Sequence, residues 1–283
     1  MLTIDLLRRA LGGRGEDRAL TLDPAFQGLP ETAHGGSVLA AFDAVSGRHG
    51  PRELHGHYLK RVPLGVPLRL RVRVREAGGA CELELSHDDG ILVTGRVAGA
   101  GVAEAPAAGG GPPPPAGAPA LPVSRACFAC GVDNPLGLGV RLRADDVAVG
   151  GTWTPRPGFR QADGTLAAVA VTALLDETAF WLGALATGES GMTTQLRVTL
   201  YGAAPADGTI TVAGARGSAR PRADARYWDT EVTARDGAGR LLAGATITFV
   251  AIRGAARRLV TGMLAVNAPD VVRRVFPAYA PPA

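Results

Sequence analysis

One stretch of this chain occurs twice. Residues 26–43 lie over residues 159–176 without a gap, so that Phe26 meets Phe159, Thr32 meets Thr165 and Asp43 meets Asp176. A duplicated stretch implies a duplicated fold, and the two copies have kept different polar groups. The first holds His34-Gly35-Gly36 where the second holds Ala167-Ala168-Val169. The second holds Asp176-Glu177 where the first holds Asp43-Ala44. A fold that divides its polar groups in this way is expected to build one working site from both halves.

The division between the halves is visible in composition. Residues 103–122 are almost wholly Ala, Gly and Pro, with four consecutive prolines from Pro112 to Pro115. Such a segment neither holds a helix nor packs a core, and it reads as a semi-rigid spacer. The expected organisation is therefore a first domain over 1–102, the spacer over 103–122, a second domain over 123–254 and a C-terminal extension over 255–283, of no assigned role. The chain is 283 residues long, enough for two domains. Hydrophobic residues make up 46% of it and aromatics only 5%, so the core must be built from Ala, Val and Leu.

In the first domain a helical pattern over 34–48 precedes four alternating segments, at 54–62, 68–75, 81–86 and 91–98. The run at 68–75 alternates apolar residues with arginine, one face of each kind. In the second domain strand patterns at 138–143 and 147–154 come first. A helix over 166–186 follows, then strands near 193–201, 209–215, 227–234 and 241–252. Strands gathered around one helix per half give an α+β class. The later helix is apolar on nearly every face, so something must wrap it. Residues 165–187 are long enough to suggest a membrane span, but Asp176 and Glu177 fall at the middle, where a bilayer makes them costly. The segment reads as a buried helix, and the protein as soluble and cytoplasmic, with no signal peptide at its N-terminus.

The net charge of +4 is modest and no basic run carries interleaved aromatics, so a nucleic-acid partner is not expected. Cys81, Cys127 and Cys130 form no disulfide framework. Cys127-Phe128-Ala129-Cys130 supplies two zinc ligands, but no second Cys or His pair stands nearby at zinc-site spacing, and the segment reads as a tight turn with small buried side chains. No metal and no cofactor are called for. His55 and His57 alternate along one strand and read as solvated or hydrogen-bonded.

At this point the chain resembles a known family. The run Phe26-Gln27-Gly28, Pro30 and His34-Gly35-Gly36 is similar to the start of the central helix in hotdog-fold acyl-CoA thioesterases of the PaaI-like type. Leu174-Leu175-Asp176-Glu177 resembles the middle of that helix, and Cys127 to Leu138 the opening of many members. Residues 191–198 resemble the strand after the helix. The resemblance implies two tandem hotdog domains, each a curled antiparallel sheet around a central helix, paired within one chain. Two such chains could pair further as a homodimer. It also implies acyl-CoA as substrate, although coenzyme A and a carrier protein stay open as alternatives.

Within one copy, 43 − 34 = 9 positions separate His34 from Asp43. On a helix that is roughly 13 Å of rise, too far for both ends to serve one carbonyl. An antiparallel partner helix can bring its Asp to the first helix's start. Site one would then join His34-Gly35-Gly36 to Asp176. Site two would join Ala167-Ala168-Val169 to Asp43 and, lacking glycine, would be vestigial or structural. The resemblance assigns Gly35, with Gly36, to polarising the thioester carbonyl, and Asp176 to acting as general base or nucleophile. It also suggests that Thr193 holds the water. His34 reads first as a structural group and second as a proton carrier. Gln27, Glu177 and Arg197 are candidate substrate contacts, Glu177 being the runner-up carboxylate and expected to face solvent or another subunit. Phe180 and Trp181 read first as core and second as the lining of an acyl pocket. A non-catalytic acyl-CoA-binding module is the second reading. A hotdog hydratase is the third, disfavoured because no Asp-x-x-x-x-His signature stands near a helix start.

Overall fold

The computed structural model describes residues 2–74, 79–88, 90–100 and 111–281. Each half repeats one order of elements. The first half begins with α1 (Thr3–Ala10), β1 (Leu11–Gly12), β2 (Asp17–Leu20) and a 3₁₀ turn at Pro24–Phe26. It continues with α2 (Gly35–Ser46), β3 (Arg52–Tyr58), β4 (Leu68–Val74), β5 (Cys81–His87) and β6 (Gly90–Gly99). The second runs β7 (Arg143–Ala144), β8 (Ala148–Trp153), a 3₁₀ turn at Pro157–Phe159 and α3 (Ala168–Thr187). After these come β9 (Gly191–Leu200), β10 (Ile210–Ala215), β11 (Arg220–Pro221), β12 (Tyr227–Asp236) and β13 (Leu241–Ala251). Two short helices, α4 (Ala256–Met263) and α5 (Pro269–Val275), complete the chain.

The strands join in one 13-stranded sheet in the order β1-β2-β4-β5-β6-β3-β9-β13-β12-β10-β8-β7, with β11 beside β12. The order is a palindrome of the repeat: β3 and β9, the strands that follow the two helices, pair antiparallel at the centre, Leu54 opposite Val198 and Gly56 opposite Leu196. The sheet thus crosses from one half to the other without a break. Period-two alternation sets which face is buried. On β4 the side chains of Leu68, Leu70 and Val72 are buried while Arg69 faces solvent.

Helices α2 and α3 lie on the inner face and touch each other. A Cβ on Gly36 would stand 2.5 Å from the Thr172 carbonyl oxygen and 2.7 Å from Ala173 Cα. Only glycine lets the helices approach this closely, and the Thr172 hydroxyl donates to the Gly36 carbonyl at 2.8 Å across the contact. Both helices end on a left-handed glycine, Gly47 (φ 63°) and Gly188 (φ 68°). Helix α3 is long and apolar enough to cross a membrane by composition, but 83% of its apolar window is buried within the molecule, wrapped by α2 and by strands of the second half. This is the covering that its all-round apolar surface demanded.

The structure adds to the sequence pattern in three places. Two strands not marked in the sequence, β1 and β2, precede α2 as β7 and β8 precede α3, the polar tetrapeptide Asp17–Leu20 carrying too little apolar pattern to be read. The expected strand at 138–143 is instead irregular chain apart from β7. Its backbone satisfies the Cys127 segment, Leu138 N–H donating to Phe128 O at 2.7 Å and Val140 N–H to Ala129 O at 2.9 Å. Of the expected spacer, residues 103–110 lie outside the described residues. Its far end packs on the second half: Leu121 N–H donates to Leu142 O and Ala144 N–H to Pro119 O.

Candidate active site

The loop before α2 is tied down before the helix begins. Asp23 caps the Pro24–Phe26 turn by accepting from Ala25 N–H at 2.8 Å. His34 N–H then donates to Phe26 O at 2.8 Å, and Gly28 N–H to Thr32 O at 2.8 Å. The second half clamps the same loop. Phe128 N–H donates to Gln27 O at 2.6 Å, the Asn134 amide donates to Ala25 O at 2.7 Å, and the Phe128 ring sits 5.0 Å from Phe26 and 6.0 Å from Phe159, between the two equivalent residues of the repeat. His34-Gly35-Gly36 is thereby delivered against the middle of α3.

There Asp176 meets it. The Gly36 N–H donates to Asp176 Oδ2 at 2.9 Å. His34 Nδ1 stands 3.2 Å from the same oxygen, and the Thr193 hydroxyl donates to Oδ1 at 2.6 Å. Asp176 is only 5% exposed. Among the described residues no acceptor takes the Gly35 N–H, which opens the helix as its first residue. The Gly35 carbonyl is fixed by the Tyr58 hydroxyl at 2.7 Å. Burial and the nearby Asp176 hold the Tyr58 phenol well above its ordinary pKa, so it stays a donor. A Cβ on Gly35 would lie 2.8 Å from Asp176 Oδ2, so any side chain there would push the carboxylate away.

Burial alone would drive the proton from His34, but Glu177 and Asp176 outweigh it and raise the imidazole to about 9. At neutral pH both ring nitrogens therefore carry hydrogen. Nδ1 donates to Asp176, and the Gly36 N–H belongs to Asp176 at 2.9 Å rather than to the ring at 3.2 Å. Glu177 is buried, not turned to solvent or to another subunit. Its Oε1 accepts from Trp181 Nε1–H at 2.9 Å and its Oε2 lies 3.6 Å from His34 Nε2. Despite its own burial its carboxyl pKa is lowered, by His34, Cys130 and Trp181.

Thr193 reaches the site through a bulge. Leu196, Val198 and Leu200 face inward on β9, and an unbroken strand would turn Thr193 outward with Arg197. Between Gln195 and Thr193 the pairing with β13 slips by one residue, which reverses the facing of the strand end. Arg197 stays on the outer face, its side chain 58% exposed and 3.9 Å from Glu53, and does not reach the site. Gln27 does not line the cavity either: its side chain accepts from Glu31 N–H at 3.2 Å and closes the turn.

These residues form the wall of a cavity of about 270 Å³ that continues between Phe180, Trp181, Met192 and Val250. The C-terminal extension closes it: Leu259 and Met263 of α4 line it, and Phe276 packs 6.3 Å from Trp181. Tyr58, Cys127 and α4 were not singled out in the sequence for this site. Nothing in their local pattern marks them, since each arrives through long-range packing.

The second combination of the repeat is built differently. Asp43 is locked by Arg52, whose Nε and Nη2 donate to its two oxygens at 2.5 and 2.7 Å. Helix α3 starts at Ala168 with no side-chain cap, and Arg52 and Ala168 line one small cavity.

The sheet order, with two central helices on its inner face, decides the architecture. The chain is a double hotdog. Solved structures share the arrangement over nearly their whole length. A candidate thioesterase II from Thermobifida fusca is 19% identical, with a TM-score of 0.63 over 88% of this chain and 99% of that one. A hot dog fold protein of unknown function from Alicyclobacillus acidocaldarius is 16% identical, with a TM-score of 0.61 over 88% and 97%. The acyl-CoA thioesterase II TesB2 from Mycobacterium marinum is 15% identical, with a TM-score of 0.58 over 90% and 99%. No family model and no curated protein matches the chain. At these identities the likeness establishes the double hotdog fold, and the chemistry must be argued from the site.

Proposed function

We propose that this double hotdog hydrolyses acyl thioesters, with an acyl-CoA as substrate, at one composite site in which the first half supplies Gly35 and the second supplies Asp176. The observation that carries the reading is a buried carboxylate seated on a helix N-terminus whose first N–H is open, at the edge of an apolar cavity. The acyl group lies in the cavity and its carbonyl oxygen accepts from Gly35 N–H, where the dipole of α2 favours the negative charge that develops. Water held beside Thr193 and Asp176 adds to the carbonyl carbon. Asp176 takes its proton, the C–S bond breaks and the proton passes to the departing thiolate. In the nucleophilic variant Asp176 itself forms the new C–O bond and water then cleaves the anhydride. The reading takes the protein as a cytosolic, PaaI-like enzyme.

A binding module is the second reading. It is favoured by one observation: Asp176 already receives Gly36, Thr193 and His34, and so is well satisfied without a substrate. A screen of thiol release from short, long and aryl acyl-CoAs decides. Hydrolysis of at least one class is expected, with a loss of about 10²–10⁴-fold in Asp176→Asn. Tight binding without turnover in the unaltered chain would favour the module.

A further inference from the structure

Four side chains converge beside Asp176 that the hydrolytic reading leaves without a joint task. His34 comes from the start of α2, Glu177 from α3, and Cys127 and Cys130 from the loop that clamps the halves together. One ligand atom each from His34, Cys127 and Glu177 lie within 4.8 Å of one another, and all three residues are buried. Cys130, also buried, lines the same cavity as His34, Cys127 and Glu177. The sequence offered only half of a zinc set in Cys127 and Cys130. The fold brings the missing ligand types from elsewhere in the chain.

Two of the spacings match those of ligand atoms held around one ion. His34 Nε2 and Glu177 Oε2 are 3.6 Å apart, beyond the roughly 2.7–3.2 Å of an N–H···O bond. Cys127 Sγ and the same Oε2 are 3.7 Å apart. Tetrahedral zinc, with bonds of about 2.0–2.3 Å, sets its ligand atoms roughly 3.3–3.8 Å from each other. The surroundings prepare each donor. Ala129 N–H donates to Cys127 Sγ at 3.3 Å and orients the sulfur. Trp181 holds the other carboxylate oxygen of Glu177 at 2.9 Å and leaves Oε2 to the cluster. Nδ1–H of His34 faces Asp176 at 3.2 Å, the carboxylate–imidazole arrangement that orients a metal-bound histidine. The turn is closed by Gly131 N–H on Cys127 O at 2.9 Å, and a Cβ at Gly131 would stand 2.3 Å from that oxygen.

We propose that His34 Nε2, Glu177 Oε2 and the thiolates of Cys127 and Cys130 bind one zinc-class divalent cation. Binding replaces the Nε2 proton of His34 and the two thiol protons, which are released to solvent. With four protein ligands the site is closed, so the ion's task is to fasten the Cys127 loop to both central helices and to fix His34 against Asp176. The inference goes beyond the hydrolytic reading and does not depend on it.

The test uses the full chain, freed of metal and loaded separately with Zn²⁺ and Co²⁺. About one equivalent of zinc retained after exhaustive dialysis is expected. So is an intense near-ultraviolet thiolate-to-cobalt band, and a melting temperature raised by zinc. Cys127→Ala and Glu177→Gln should each weaken zinc binding at least about tenfold, judged by competition with a chromogenic chelator. Cys81→Ser, altered at a buried cysteine on β5, should bind as the parent does. The proposal is overturned if the unaltered chain retains only traces of zinc, if cobalt binds without the thiolate band, or if Cys81→Ser loses the ion as readily as Cys127→Ala. The cobalt spectrum needs no variant, so a misfolded mutant does not blunt the test.

Discussion

The backbone N–H of Gly36 donates to Asp176 Oδ2 at 2.9 Å, joining residues 140 positions apart. Because this N–H is taken, the proposed donor to a substrate oxygen is that of Gly35. On that proposal the two glycines, alike in sequence, have different tasks, and their variants should fail differently.

Gly35→Ala places a Cβ 2.8 Å from Asp176 Oδ2. It should lower kcat for thioester hydrolysis by about 10²-fold or more while leaving the melting temperature close to that of the parent. Gly36→Ala drives a Cβ into the Thr172 carbonyl and the backbone of α3. It should lower the unfolding midpoint markedly, an overpacking cost of about 1–3 kcal/mol or more. Equal effects of the two on stability would contradict the division of labour.

The asymmetry of the repeat makes a second comparison. Asp176→Asn should abolish turnover yet keep acyl-CoA binding, whereas Asp43→Asn should keep turnover. Steady-state kinetics with an acyl-CoA that the parent cleaves is the measurement. Equal losses would mean that both combinations of the repeat are active.

Asp43 and Arg52 form a buried pair, with side chains 8% and 15% exposed. Removing one partner leaves the other charge stranded, so Arg52→Ala should destabilise by about 3–5 kcal/mol in urea titration. The surviving folded fraction should still turn over substrate. A neutral effect on stability would show that water reaches Asp43 freely.

Thr193 holds Oδ1 of Asp176 through its hydroxyl at 2.6 Å. Thr193→Ser should retain most of kcat, and Thr193→Val, similar in shape but without the donor, should lose about tenfold or more. If both variants behave alike, the hydroxyl has no part in the reaction.

Leu259 and Met263 form the far wall of the cavity. Filling that wall with Leu259→Trp should shift preference towards shorter acyl chains, read as the ratio of kcat/KM between a short and a long substrate. An unchanged ratio would place the acyl chain elsewhere.

Much of this was legible in the chain. The gapless repeat announced the pairing of the helices. The split between His34-Gly35-Gly36 and Asp176-Glu177 pointed to a contact that the fold then makes. Thr193 was singled out by resemblance, yet the bulge that turns it inward leaves no local pattern. Arg197 stands on the outer face, where alternation carried from Leu196 and Val198 places it. Glu177 was read as an edge residue because a second carboxylate beside Asp176 had no visible partner. Of its partners, Trp181 is one helical turn away on α3, but His34 and Cys127 come from separate segments that only the packed molecule brings to it.

The central pairing of β3 with β9 joins the two copies edge to edge within one covalent chain. A pair of identical subunits would have to repeat every substitution on both sides of its axis. Fusion lifts that constraint: the arginine that binds Asp43 need not be matched by one against Asp176, and the glycines that admit the later carboxylate need not recur at Ala168. Each half is free to vary by itself, and neither half, made alone, would contain the contact between Gly36 and Asp176.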